Sequence, residues 1–313
     1  MEISKFQIIL VSFSLLVLLP VIHGWGTDGH FTVCRIAQYE SNFAVLNVLT
    51  KNAVRFWFSD SHLQPRLSDA ASAAVKKLLP KSAGDDLASL CSWADHVKFR
   101  YHWSSALHFI DTPDSLCTYQ YDRDCKDDTG EKGRCLEGAI RNYTDQLLSY
   151  AKPSQTEYNL TEALLFLSHF IGDVHQPLHV GFTSDKGGNT IDVHWYRRKS
   201  VLHHVWDTNM IETAEERFYN EDVEGMIDAI QQNITSSWSD KVTEWETCGR
   251  NETTCPDIYA TEGIKAACTI AYKGVTEDST LDDDYFLSRL PEIYLRLAQG
   301  GVRLAATLNR IFG

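Results

Sequence analysis

Apolar positions along this chain recur mostly at helical spacing. The stretches 87–97, 139–150, 161–174, 223–238 and 287–312 place apolar residues three and four apart, and each predicts a helix. In 161–174 the apolar residues run nearly all the way round, the pattern of a helix buried in a large core. Pro177 should end that helix. Period-two alternation is scarce, and "TIDVHWY" (190–196), following Gly187-Gly188-Asn189, is the best candidate for a hairpin arm. No Pro/Ser-rich linker, solenoid repeat or low-complexity tract divides the chain. One mainly α-helical domain spanning 25–313 is expected.

The first residues form a different pattern. A positive residue, an apolar run from Ile8 to Leu19 and a small residue at Gly24 read as a secretory signal peptide over 1–24, cleaved before Trp25. The apolar run is short for a membrane span. Four sequons, at Asn142, Asn159, Asn233 and Asn251, point the same way and predict a glycoprotein. The eight cysteines fit an oxidising compartment, and none sits in a CxxC pair, which argues against thiolate zinc sites. The expected address is the secretory pathway, with the cell exterior or vacuole as its end. A net charge of −13 argues against a broad basic surface that grips many phosphates.

The polar residues inside the oily stretches change the picture most. "LSHFIGDVHQPLH" (167–179) carries His169, Asp173, His175 and His179, with His169 and Asp173 one helical turn apart. "SWADHVKF" (92–99) offers Asp95 and His96, "ALHFID" (106–111) offers His108 and Asp111, and "LHHVWD" (202–207) offers His203, His204 and Asp207. "WGTDGH" (25–30) adds His30. Burying such groups is costly unless something pairs with them. Imidazole and carboxylate without thiolate is the ligand set of catalytic zinc, and it also suits manganese or iron. A lone histidine on an apolar helix is more often a hydrogen-bonded core residue, but several clusters in apolar surroundings favour a multi-metal site. Spacing alone fixes neither the number of ions nor the reaction.

Taken in order, "WGxxGH", "SWAD", "LHFID", "HFIGDxxQPLH", "GGN", "HxxWD" and "QGGVRLA" (299–305) resemble the S1/P1 nuclease family, the zinc-dependent single-strand nucleases of fungi and plants, and its plant bifunctional branch above all. The resemblance implies a mainly α, single-domain fold, related to that of zinc-dependent phospholipase C, with three Zn²⁺ at the bottom of a cleft. By motif, Asp95, His108, His169 and Asp173 would bind one zinc. The Trp25 amine and carbonyl, His30 and a bridging Asp173 would bind its neighbour, and His179, His203 and Asp207 the third. His203 takes the place over His204 because it alone has the four-residue spacing to Asp207. His96, His102, His175, His194 and His204 match no ligand position and are read as structural. Asp95, Lys98 and Asp111 match catalytic positions beside the scissile phosphate and the cluster, and Phe109 and Asn189 match residues that hold a nucleobase. Cys117–Cys268 and Cys125–Cys135 match family disulfides, which leaves Cys34–Cys91 and Cys248–Cys255 as the simplest remaining pairs.

The implied activity is hydrolysis of single-stranded DNA and RNA to 5′-phosphorylated products, with 3′-nucleotidase activity at the same site, by a monomer that needs no membrane. Two rivals stand beside it. A phospholipase C-like enzyme would use the same metals on a lipid phosphodiester, and a zinc-holding glycoprotein would use them for no catalysis. Phe109 and Asn189 favour a base over a lipid, and no amphipathic membrane face is evident. The catalytic matches at Asp95, Lys98 and Asp111 are not required of a non-catalytic protein and count against that reading.

Overall fold

A computed structural model describes residues 24–39, 66–152, 156–249 and 252–313. Residues 1–23 of the expected signal peptide and the sequon at Asn251 lie outside them. Among the described residues the helices are α1 (Thr27–Ala37), α2 (Asp69–Leu78), α3 (Trp93–Val97), α4 (Tyr121–Asp124), α5 (Leu136–Leu148), α6 (Leu160–Asp173), α7 (Leu202–His204), α8 (Met210–Phe218), α9 (Val223–Thr235), α10 (Ser239–Glu246), α11 (Pro256–Ala266) and α12 (Asp283–Phe312). No described helix is long and apolar enough to cross a membrane.

α6 lies at the centre. The Asn159 side chain caps its first turn by accepting from the Glu162 amide, and every residue from Ala163 to Asp173 is buried. The apolar pattern therefore reads correctly, and the helix ends at Asp173, before Pro177. α1 is held against α12 by close packing. A Cβ on Gly301 would lie 2.4 Å from Ile36 Cγ2, and one on Gly300 would lie 3.1 Å from Val33, so the two glycines let the helices approach. Gly172 does the same for His30, whose Nδ1 would be 2.7 Å from an added Cβ.

The expected strand forms as β1 (Asp192–Trp195), paired antiparallel with β2 (Arg198–Val201) and parallel with β3 (Ser279–Leu281), in the order β2-β1-β3. One expectation fails. The stretch 87–97 is not one helix but a 3₁₀ turn at Ala88–Leu90 followed by the short α3. The break puts Cys91 between them, where it bonds Cys34 of α1. The other disulfides join Cys117 to Cys268, Cys125 to Cys135 and Cys248 to Cys255, as the resemblance and the remainder implied. Of the described sequon asparagines, Asn142 and Asn159 are exposed and Asn233 is half-buried.

Candidate metal centre

Three elements that are distant in sequence bring the candidate ligands together. α6 contributes His169 and Asp173 from one face of its last two turns. The segment from His108 to Thr112 runs beside 179–183, with the Ile110 amide donating to the His179 carbonyl at 2.8 Å and the Thr112 amide to the Gly181 carbonyl at 2.9 Å. This extended pairing explains "LHFID". His108, Ile110 and Thr112 point inward and are buried, whereas Phe109 and Asp111 are only half-buried on the opposite side. The chain before α1 forms the third element. There the Gly26 amide donates to the Asp207 carbonyl at 2.7 Å, and Trp25 is fully buried.

The ligand atoms fall into three buried groups: His30, His169 and Asp173; Asp95, His108 and His169; and His179, His203 and Asp207. Asp173 faces two ways. Its Oδ1 is 3.2 Å from His30 Nε2, while Oδ2 is 2.9 Å from His108 Nδ1 and 3.2 Å from His169 Nε2. Asp95 Oδ1 is 3.5 Å from His169 Nε2 and 2.7 Å from Lys98 Nζ. In the third group, His203 Nε2 lies 3.2 Å from both Asp207 Oδ2 and His179 Nε2.

These residues fit cations on their own geometry. The Nδ1–H of His179 donates to the His108 carbonyl at 2.5 Å, that of His203 to the Gly187 carbonyl at 2.6 Å and that of His169 to the Cys91 carbonyl at 2.8 Å. In its neutral form each of these rings would present an Nε2 lone pair inward. Two lone pairs 3.2 Å apart, on His179 and His203, repel unless a cation lies with them. His30 Nε2 and Asp173 Oδ1 are buried 3.2 Å apart and make no well-formed hydrogen bond, a condition that a metal ion relieves. Nitrogen and oxygen donors without sulfur fit zinc of the catalytic kind.

The electrostatics agree. Burial, reinforced by positive charge on His169, lowers the His30 pKa to about 4, and burial with Lys98 lowers that of His108 to about 3, so both are neutral ligands. Asp95 and Asp173 are held well below the usual carboxylate range, because His169 and other cationic or donor groups outweigh the opposing effect of burial. Burial pushes Asp207 well above that range despite its hydrogen bond from Gln176, and a cation between Asp207 and the two histidines would offset this cost.

Every ligand expected from the sequence through a side chain falls in one of the three groups. His96, His102 and His204 are exposed, and His194 is half-buried on β1. His175 is buried but points away, donating from Nδ1 to the Ile171 carbonyl and accepting from Arg303 at 3.0 Å. Asp111 has Asp128, Asp185 and Lys186 as its charged neighbours, which places it on the side of the loop that carries Asn189. There the Asn189 side-chain amide donates to the Lys186 carbonyl at 2.8 Å. Gly187 and Gly188, at φ 62° and 83°, shape this loop, and a Cβ on Gly187 would lie 2.2 Å from the Leu178 carbonyl oxygen. Reading the sequence missed the backbone carbonyls that orient the rings. It also missed Gln176, a polar side chain in an apolar stretch that required a partner.

Residues 63–313 match the S1/P1 Nuclease family. The chain is 62% identical to Endonuclease 2 of Arabidopsis thaliana over 296 residues, covering 94% of this chain and 92% of that protein. It is 54% identical to Endonuclease 4 of the same plant over 304 residues, covering 95% and 93%. At greater distance it is 32% identical to Nuclease S1 of Aspergillus oryzae over 316 residues, covering 96% of each chain. A match over most of the sequence, joined to three buried His/Asp groups in one α-helical fold, shows that the chain belongs to the S1/P1 nuclease family.

Proposed function

We propose that this protein is a secreted, zinc-dependent nuclease that hydrolyses phosphodiester bonds of single-stranded DNA and RNA to 5′-phosphorylated products, and that it also acts on 3′-nucleotides. The observation that carries this reading is the two-way placement of Asp173 between His30 on one side and His108 and His169 on the other, with a third triad close by. Zinc ions held by the three groups would supply Lewis acidity and bring water near neutral pH toward ionisation.

The chain's own residues do the rest. Asp95 orients the attacking water for in-line approach to phosphorus. Lys98, buried at 2.7 Å from Asp95, neutralises charge on the phosphoryl oxygens. Phe109, on the outward side of its segment, stacks on a base whose edge Asn189 addresses, and Asp111, expected as a catalytic carboxylate, is assigned to that edge instead because its charged neighbours are Asp185 and Lys186 of the Asn189 loop and Asp128. An unpaired base reaches such a surface without first being unstacked, which favours single strands. Cleavage of the leader before Trp25 adds the final donor. The backbone at residue 24 lies within the group of His30, His169 and Asp173, since a Cβ on Gly24 would be 1.5 Å from Asp173 Oδ1 and 2.8 Å from His30 Nε2. A free α-amine at Trp25 would therefore join His30 and Asp173.

The test is release of 5′-mononucleotides from RNA and single-stranded DNA, with and without a chelator, beside a phosphatidylcholine assay. Chelator-sensitive nucleotide release is expected. Release of phosphocholine or diacylglycerol alone would favour the lipid enzyme, and no turnover of either substrate would favour the zinc-holding glycoprotein.

A further inference from the structure

Gln176 is fully buried between Asp173 and His179 and belongs to none of the three ligand groups, yet three of its four polar ends touch a residue of those groups. Its backbone amide donates to the Asp173 carbonyl at 2.9 Å, and its carbonyl accepts from the His179 amide at 3.0 Å. Its side-chain Oε1 accepts from the Leu178 amide at 2.6 Å, capping the short turn Pro177–Val180. That bond fixes the orientation of the amide, so the remaining end, Nε2, must be the one that donates to Asp207 Oδ1 at 2.5 Å. Asp207 is thereby left with Oδ2 turned toward His203 Nε2 at 3.2 Å. The backbone of Asp207 is tied separately, through its carbonyl, to the Gly26 amide.

We propose that Gln176 is the positioning residue of the third metal site. It occupies Oδ1 of Asp207, so that Asp207 offers Oδ2 alone to an ion shared with His179 and His203. The tether reaches from the turn that follows α6 across to the helical turn carrying Asp207, so it also sets the distance of that turn from His179. This inference rests on the three-ion reading above. A neutral amide suits the task. It donates without adding charge, and its second hydrogen-bonding end is already used for the turn cap.

The two roles of the side chain separate in two variants. Gln176→Glu keeps an acceptor of the same length for the Leu178 amide but has no N–H for Asp207. Gln176→Met lacks both. Zinc per chain is measured for the protein beginning at Trp25 during dialysis against graded chelator, with Co²⁺ absorption as a second readout of the site. Both variants are expected to keep two ions as tightly as the parent and to release the third at chelator concentrations about 10–100-fold lower. Parent-like retention of three ions by Gln176→Glu would overturn the proposal, whatever Gln176→Met does, because capping alone would then account for the residue. Equal loss of all three ions in both variants would also overturn it, making Gln176 a scaffold for the whole centre. A parent protein with fewer than three ions would remove the underlying three-ion reading first, before any comparison of variants.

Discussion

Asp173 makes its two-sided contacts because it sits one helical turn after His169, and a four-residue step on α6 puts both side chains on the face turned to α1 and to the His108 segment. Asn at this position would keep the size and lose the charge and one acceptor. Asp173→Asn is expected to lower hydrolysis at least about 100-fold and to lower bound zinc; near-parental zinc content and turnover would end the cluster assignment. A second residue tests the electrostatics away from the ions. Glu215 is buried with Oε1 unpartnered, and burial, joined by Asp28, Glu212 and Asp222, pushes its carboxyl up to about 7. An acid whose folded pKa is raised gives stability that is complete below its unfolded value, about 4.3, and that is lost as pH rises through about 7. Glu215→Gln should therefore be more stable than the parent at pH 8, by about 1–3 kcal/mol, with the gap closing by pH 4. Denaturant unfolding at the two pH values checks this, and a constant gap would show that folding does not shift the Glu215 pKa.

At the scale of elements, sequence legibility follows from how the elements are stabilised. α6 and α12 carry long apolar faces, so their periodicity shows in the sequence, and Gly187-Gly188 marks the loop before the hairpin. The π turn at Val205–Asn209 is not legible, because it depends on packing around buried Trp206 and Asp207 and not on local spacing. Nor is the break of 87–97, which serves the Cys34–Cys91 bond and the Cys91 carbonyl that orients His169. The ligands were legible because His and Asp in apolar runs are rare. Their grouping into three sites came from the family resemblance alone, since spacing cannot show the pairing of 108–112 with 179–183. The element most open to test is the chain leading into α1. A peptide nitrogen at Trp25 has its lone pair delocalised and cannot serve as the donor that a free amine provides. One Ala added before Trp25 should leave folding intact, remove one tightly held zinc and sharply reduce nuclease rate. Equal zinc content and rate for the two proteins would show that the amine is not a ligand and would leave His30 an ordinary histidine.

For the whole molecule, a net charge of −13 and three buried His/Asp groups that could hold divalent cations fit together. Substrate would be held by the metal centre and one stacked base, so few counterions leave on binding. The dependence of log K on log salt for a short single strand should be shallow, unlike that of a protein making about 6–10 phosphate contacts. A steep slope would reveal a basic groove. Two of the disulfides, Cys34–Cys91 and Cys117–Cys268, join parts of the chain far apart in sequence and should hold the fold while metal is removed. That makes the central claim directly measurable. Protein beginning at Trp25, stripped by chelator with its disulfides intact, is titrated with Zn²⁺ while bound zinc and release of 5′-nucleotides from single-stranded RNA are recorded together. Release should be absent without metal and should return in full only as the third ion of the three-site centre binds. Full activity with a single ion bound, or hydrolysis that persists in the stripped protein, would contradict a three-zinc centre.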